Sequence, residues 1–143
     1  MSDLQFKLDF RSGVPGYVQI VEQVQGFLAR GELKPGDQLP TVRQLASELR
    51  INFNTIARAY RMLDEAGLIS TQQGRGTYIL DTTEPEIESH LKSSTLHAQI
   101  QHFFAMLTRQ GYSMEEVEKG LTEVLETWTK DYLEPENEFE EEE

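Results

Sequence analysis

The residues of this chain best suited to chemistry lie in INFNTIARAYRMLDEAGLI, residues 51–69. Ile56, Ala59, Tyr60 and Leu63 recur at the spacing of one helix face. Asn52 stands where such a helix would be capped, and Asn54 and Thr55 fall in its first turn. Asn54 carries an acceptor and donors on one amide, the pair that bonds bidentately to adenine; Thr55 offers a hydroxyl, and a methyl able to meet the methyl of thymine. Arg58 follows one turn later on the same face, within reach of a guanine or a phosphate, and Arg61, a turn farther, suits the sugar-phosphate backbone. Free N–H groups and the positive dipole end at a helix start also attract phosphates. The chemistry implied is the reading of base edges in a major groove, which admits one α-helix. An ordinary capped helix with solvated arginines would have the same composition, so that alternative stays open. Phe53 either touches a thymine methyl or sugar, or packs sideways on the scaffold; packing is the expectation.

Two further cations extend this set. Arg43 lies in the first turn of a second, shorter apolar pattern, Val42, Leu45, Ala46 and Leu49, for which Thr41 is the expected N-cap. It either holds a phosphate or enters the groove, or else pairs with Glu48 or Asp37. Arg75 sits in Gly74-Arg75-Gly76, the turn between two alternating halves of LISTQQGRGTYIL. That pattern predicts a β-hairpin whose glycines let the backbone approach a ligand. Hairpin tips favour glycine anyway, so this signal draws its weight from following the candidate recognition helix.

Positioning these residues requires a scaffold, and the chain supplies one. Tyr17, Ile20, Val21, Val24, Phe27 and Leu28 predict a first helix over 14–30, with Pro15 near its start and Gly31 past its end. LKPGDQLP is a turn. Helix, helix, short turn, helix, hairpin is the order of a winged helix-turn-helix, expected over residues 1–80. After the polar, acidic connection DTTEPEIESH come two more helical patterns. Leu91, Leu96, Ile100, Phe103, Phe104 and Leu107 mark the first, which ends near Gly111. Ser113 and Glu116 form a capping-box signature, and Met114, Val117, Leu121, Val124, Leu125, Trp128 and Tyr132 mark the second. The fold class expected is mainly α with a small β-hairpin (α+β). About fifty residues in two helices cannot close a large core alone. Residues 81–133 are therefore expected to form a dimerisation region, in which Leu96, Ile100, Phe103, Phe104, Leu107, Val117, Leu121, Leu125 and Trp128 meet the same stripe of a second copy in a four-helix arrangement. Packing of that stripe on the chain's own winged helix is the alternative. Residues 134–143, EPENEFEEEE, are a like-charge run expected to be disordered.

The net charge of −12 by itself argues against a polyanionic partner. Its distribution resolves the conflict: residues 1–80 carry nine Lys and Arg against eight Asp and Glu, and residues 81–143 carry four against seventeen. Salt screens charge beyond ~10 Å at 0.1 M, so an acidic second part leaves a locally positive first part free to bind, while lowering non-specific affinity for nucleic acid. The absence of cysteine excludes disulfides and thiolate metal sites. No signal peptide opens the chain, and no run of about 18 apolar residues would span a membrane; a cytoplasmic protein without membrane contact is expected. His90, His97 and His102 lie seven and five apart, not the four of a helical metal pair, so no metal or other cofactor is expected. With no nucleophile–base set and no phosphate-cradling loop, no enzyme is expected either. The competing class is a winged helix used for protein interaction.

LKPGDQLPTVRQLASELRINFNTIARAYRMLDEAGLISTQQGRGTYI resembles the GntR family of bacterial transcription regulators over residues 10–80. The likeness runs in one register through Leu33 to Gly36, Leu39 to Arg43, Leu45-Ala46, Asn54 to Ile56, Ala59-Tyr60, Leu63, Gly67 to Ile69 and Gly74 to Thr77. The resemblance implies DNA contact by Arg43, base reading from Asn54, Thr55 and Arg58, and a wing, Gly74, Arg75 and Gly76, in the minor groove. Many members place Ser-Arg where this chain has Asn52-Phe53, which implies a different base preference. Asn-x-Asn-Thr-x-Ala-Arg-Ala-Tyr is the form of the YtrA-like and MocR-like branches. MocR-like chains continue into a large domain that binds pyridoxal phosphate, so the short two-helix tail implies the YtrA-like branch. Its members resemble dimeric repressors, often of transporter operons, acting on palindromic operators. A small-molecule effector at a dimer interface stays open.

Overall fold

The computed structural model describes residues 4–72, 74–81 and 85–133, except for the side chains of residues 85, 132 and 133. Among them are five helices and one three-stranded sheet, and the chain divides into two compact units, Met1–Ile100 and Gln101–Glu143. The expected run 134–143 lies outside the described residues.

The first helix, α1 (Gly16–Ala29), starts after Pro15 and buries Tyr17, Val18, Ile20, Val21, Val24 and Phe27 on one face. Its polar side tethers the preceding segment. Gln23 accepts from the Lys7 N–H at 2.8 Å and donates to the Lys7 carbonyl; Gln19 accepts from the Asp9 N–H at 2.8 Å and donates to the carbonyls of Asp9 and Val14. These amides satisfy backbone groups that a strand partner would otherwise satisfy. The arrangement lets Phe6 pack edge-on to Phe27, with ring centroids 5.1 Å apart. Leu4, Phe6 and Leu8 thus belong to the core and its edge, while Phe10 stays 79% exposed.

Three strands follow the HTH logic closely. β1 (Gln38–Leu39), β2 (Ile69–Gln72) and β3 (Gly76–Ile79) form an antiparallel sheet in the order β1-β3-β2. The predicted hairpin is β2–β3, paired from Ile69↔Ile79 to Gln72↔Gly76. β1 is an addition: the turn predicted at LKPGDQLP contains a strand pairing Gln38↔Tyr78 and Leu39↔Thr77. Between strands lie α2 (Val42–Leu49) and α3 (Phe53–Glu65). Leu45, Ala46, Ile56, Ala59, Tyr60, Leu63, Leu39, Ile69 and Ile79 join the α1 face in one core.

α4 (Pro85–Arg109) begins inside the segment expected to be a connection. Proline costs nothing at a first helical position, and Glu86 and Glu88 in the first turn complement the dipole. Leu91 and Ala98 then enter the winged-helix core, and the Tyr17 hydroxyl donates to the Ala98 carbonyl at 3.5 Å. The first packed unit accordingly runs beyond residue 80, to Ile100. In the second unit, α5 (Met114–Leu133) follows a turn at Gly111, whose φ of 98° suits glycine. The predicted capping box is present: Ser113 N–H donates to Glu116 Oε2 at 3.3 Å and Glu116 N–H to Ser113 Oγ at 3.2 Å.

Candidate nucleic-acid interface

The start of α3 divides its labour. Asn52 Oδ1 accepts from the Asn54 N–H at 2.8 Å, so Asn52 is the cap and leaves the Asn54 amide exposed. Thr55 is half-buried, and a Cβ placed on Gly16 of α1 would lie 3.2 Å from its methyl. That methyl therefore faces α1, where the sequence suggested a thymine. Phe53 is 48% exposed and packs neither in the core nor among the apolar side chains bordering it, contrary to the expected sideways packing. Arg58 is exposed, yet its guanidinium carbon sits 4.0 Å above the Tyr17 ring. Cation–π attraction on a largely buried ring restricts where that charge points. Arg61 is exposed a turn later.

Arg43 is presented by a rigid corner. Thr41 N–H donates to Gln44 Oε1 at 2.9 Å and Gln44 N–H to Thr41 Oγ1 at 3.1 Å, a complete capping box that fixes the α2 start. From α3, the buried Tyr60 hydroxyl donates to the Pro40 carbonyl, locking the two helices of the motif at the Leu39-Pro40-Thr41 bend. Burial, helped by the nearby Glu48 charge, pushes the Tyr60 phenol well above its ordinary pKa and keeps it a donor. The suggested pairing of Arg43 with Glu48 or Asp37 does not form; the ion pair among the described residues is Arg30–Glu32. Asp37 instead accepts from the Lys34 N–H at 2.9 Å, within its own turn.

The wing tip is held from both flanks. The Arg75 carbonyl accepts from the Tyr78 hydroxyl at 2.7 Å and from Gln38 Nε2 at 3.3 Å. Gly74 has φ 79° and Gly76 φ 111°, and a Cβ on Gly76 would fall 2.3 Å from Gln38 Nε2. Glycine is thus favoured at 76 by conformation, while the space it leaves is filled by the movable amide end of Gln38. These contacts leave the Arg75 side chain exposed.

The predicted interface residues are not all equivalent. Leu96, Ile100, Phe103, Leu121, Leu125 and Trp128 are exposed. Phe104 and Leu107 are half-buried, whereas Val117, at 8% exposure, is already inside the second unit and is not part of an exposed stripe. Val124, 60% exposed, joins the outward set. A groove of about 320 Å³ in that unit is lined by apolar side chains including Phe103, Leu107, Leu121 and Val124.

Sequence reasoning missed Tyr17, Gln38, Tyr60 and Tyr78 as supports, having taken Tyr17 and Tyr60 for plain core. The Tyr60 hydroxyl was the available signal, since a buried phenol seeks a partner. Among the described residues no His, Cys, Asp and Glu cluster could hold a metal ion, and no helix is long and apolar enough to cross a membrane.

Comparison with known proteins agrees with this geometry. Residues 16–79 match the family described as bacterial regulatory proteins, gntR family. The chain is 36% identical over 112 residues to the uncharacterized HTH-type transcriptional regulator YhcF of Bacillus subtilis, covering 78% of this chain and 91% of that protein. It is 33% identical over 118 residues to the HTH-type transcriptional repressor YtrA of the same organism, covering 82% and 90%. Among solved structures, YtrA from Sulfolobus acidocaldarius, a GntR-family transcription factor, superposes with a TM-score of 0.53 at 36% identity, covering 64% of this chain and 97% of that one.

Proposed function

The chain belongs to the GntR family of bacterial regulatory proteins, in its YtrA-like subfamily, and we propose that this DNA-binding transcription regulator is a homodimeric repressor acting on a palindromic operator in its own operon. Asn54 and Arg58 read base edges in the major groove, Arg43 and Arg61 hold flanking phosphates, and the Gly74-Arg75-Gly76 tip follows the adjacent minor groove. The carrying observation is that the winged helix completes its core while Arg43, Asn54, Arg58, Arg61 and Arg75 stay exposed on its helix-turn-helix and wing. Thr55 contributes its hydroxyl, its methyl being taken up by α1. Repression is supported by the likeness to a relative described as a repressor.

Two copies associate through the exposed apolar side chains of α4 and α5. Leu121, Val124 and Leu125 on α5 and Phe103 on α4 expose more apolar surface than a solitary two-helix unit would keep in water. A second copy covers them with the same patch, as a twofold interface requires.

Selection of duplexes from a random-sequence pool tests this reading. It predicts enrichment of an inverted repeat with half-site centres about 10 bp, or a multiple of it, apart. Recovery of no shared sequence would overturn it.

A further inference from the structure

We propose that Phe53 reads the 5-methyl group of thymine in each half-site, a specificity contact that rests on the DNA-binding reading above. Three observations converge on it. Phe53 is the first residue of α3, immediately after the Asn52 cap and immediately before Asn54. It is 48% exposed and belongs to neither the core nor its border, which leaves about half of its surface open to a ligand. The other candidate for an apolar base contact, the Thr55 methyl, is turned against Gly16. Among the described residues of the first turn of α3, Phe53 is thus the apolar side chain presented outward.

The major groove narrows what such a ring can recognise. Its base edges are donors and acceptors, except for the C5-methyl of thymine, which is the groove's apolar feature. A phenyl ring beside the Asn54 amide makes a mixed reader: the amide takes an adenine edge and the ring takes a thymine methyl on the same or a neighbouring pair. Side chains at a helix start lean toward its N-terminal end, which carries the ring forward past the Asn52 cap. The half-site is accordingly expected to hold an A·T pair at the position under the α3 start.

Removing one methyl group at a time tests this. The probe is a duplex with the sequence recovered by selection, in which single thymines are replaced by deoxyuridine, with binding followed by fluorescence anisotropy. The wild-type protein should lose about four-fold in affinity at one thymine per half-site, the equivalent of one buried methyl, and little at the others. Phe53→Ala should bind the parent duplex more weakly and be indifferent to that replacement, and Phe53→Leu should keep part of the discrimination. Wild-type indifference to every deoxyuridine, or an undiminished methyl effect in Phe53→Ala, would overturn the proposal while leaving DNA binding intact. Failure of the wild-type protein to bind the selected duplex would refute DNA binding itself and this contact with it.

Discussion

Replacing Tyr60 by phenylalanine removes one oxygen from the bend that carries Arg43. The hydroxyl donates to the Pro40 carbonyl in a site where Tyr60 is 4% exposed, so Tyr60→Phe leaves a partly buried acceptor without its donor. At pH 8 that should cost about 1–2 kcal/mol of stability. The pH dependence follows from the raised phenol pKa, caused first by burial and second by the Glu48 charge. Above the ordinary value of 10.0 the unfolded chain releases this proton while the folded chain keeps it. The stabilisation is therefore whole below pH 10 and is lost as pH rises beyond it, at up to about 1.4 kcal/mol per pH unit. By pH 11 wild type should have lost about 1.4 kcal/mol relative to Tyr60→Phe, bringing the two near equality. Urea unfolding of both proteins at pH 8 and pH 11 measures the difference directly. A gap of constant size across that range would refute the reasoning.

Three further outcomes follow from the same geometry. Gly76→Ala places a side chain at a backbone φ of 111° and pushes the Gln38 amide off the Arg75 carbonyl, and should destabilise by about 1–3 kcal/mol and displace the wing, read as a lower thermal midpoint and weaker operator binding. Tyr17→Leu and Arg58→Ala should weaken operator binding non-additively, because the Tyr17 ring acts through the Arg58 guanidinium; strictly additive losses in the double variant would show independent roles. Leu121→Glu with Leu125→Glu should shift sedimentation from dimer to monomer while leaving the far-ultraviolet spectrum of the winged helix in place; a persisting dimer would move the interface elsewhere.

The parts that could be read from the sequence are those specified by near neighbours. Thr41 and Asn52 announce the starts of α2 and α3 because a cap acts within three residues, and Ser113 with Glu116 does the same for α5. Other features depend on distant groups. β1 has two residues, too few for alternation, and exists because β3 offers an edge at Thr77 and Tyr78. Phe6 is buried because Gln19 and Gln23 hold the backbone beside it. The same limit applies at the candidate site. Helical spacing placed Asn54, Thr55 and Arg58 on one face, but how α1 approaches α3 decides that the Thr55 methyl turns inward and that Arg58 rests on Tyr17. Val117 shares the spacing of the exposed α5 residues and is nonetheless enclosed.

The most direct test of the central claim is the salt dependence of operator affinity for wild type and for a variant with Arg43, Arg58, Arg61 and Arg75 all changed to Ala. Each phosphate contact contributes about 0.9 to the slope of log affinity against log salt. A steep wild-type slope that falls by several units in the folded variant, together with weaker binding, is the predicted result. Equal slopes and equal affinities for the two proteins would contradict the account, since these four side chains would then lie away from the DNA.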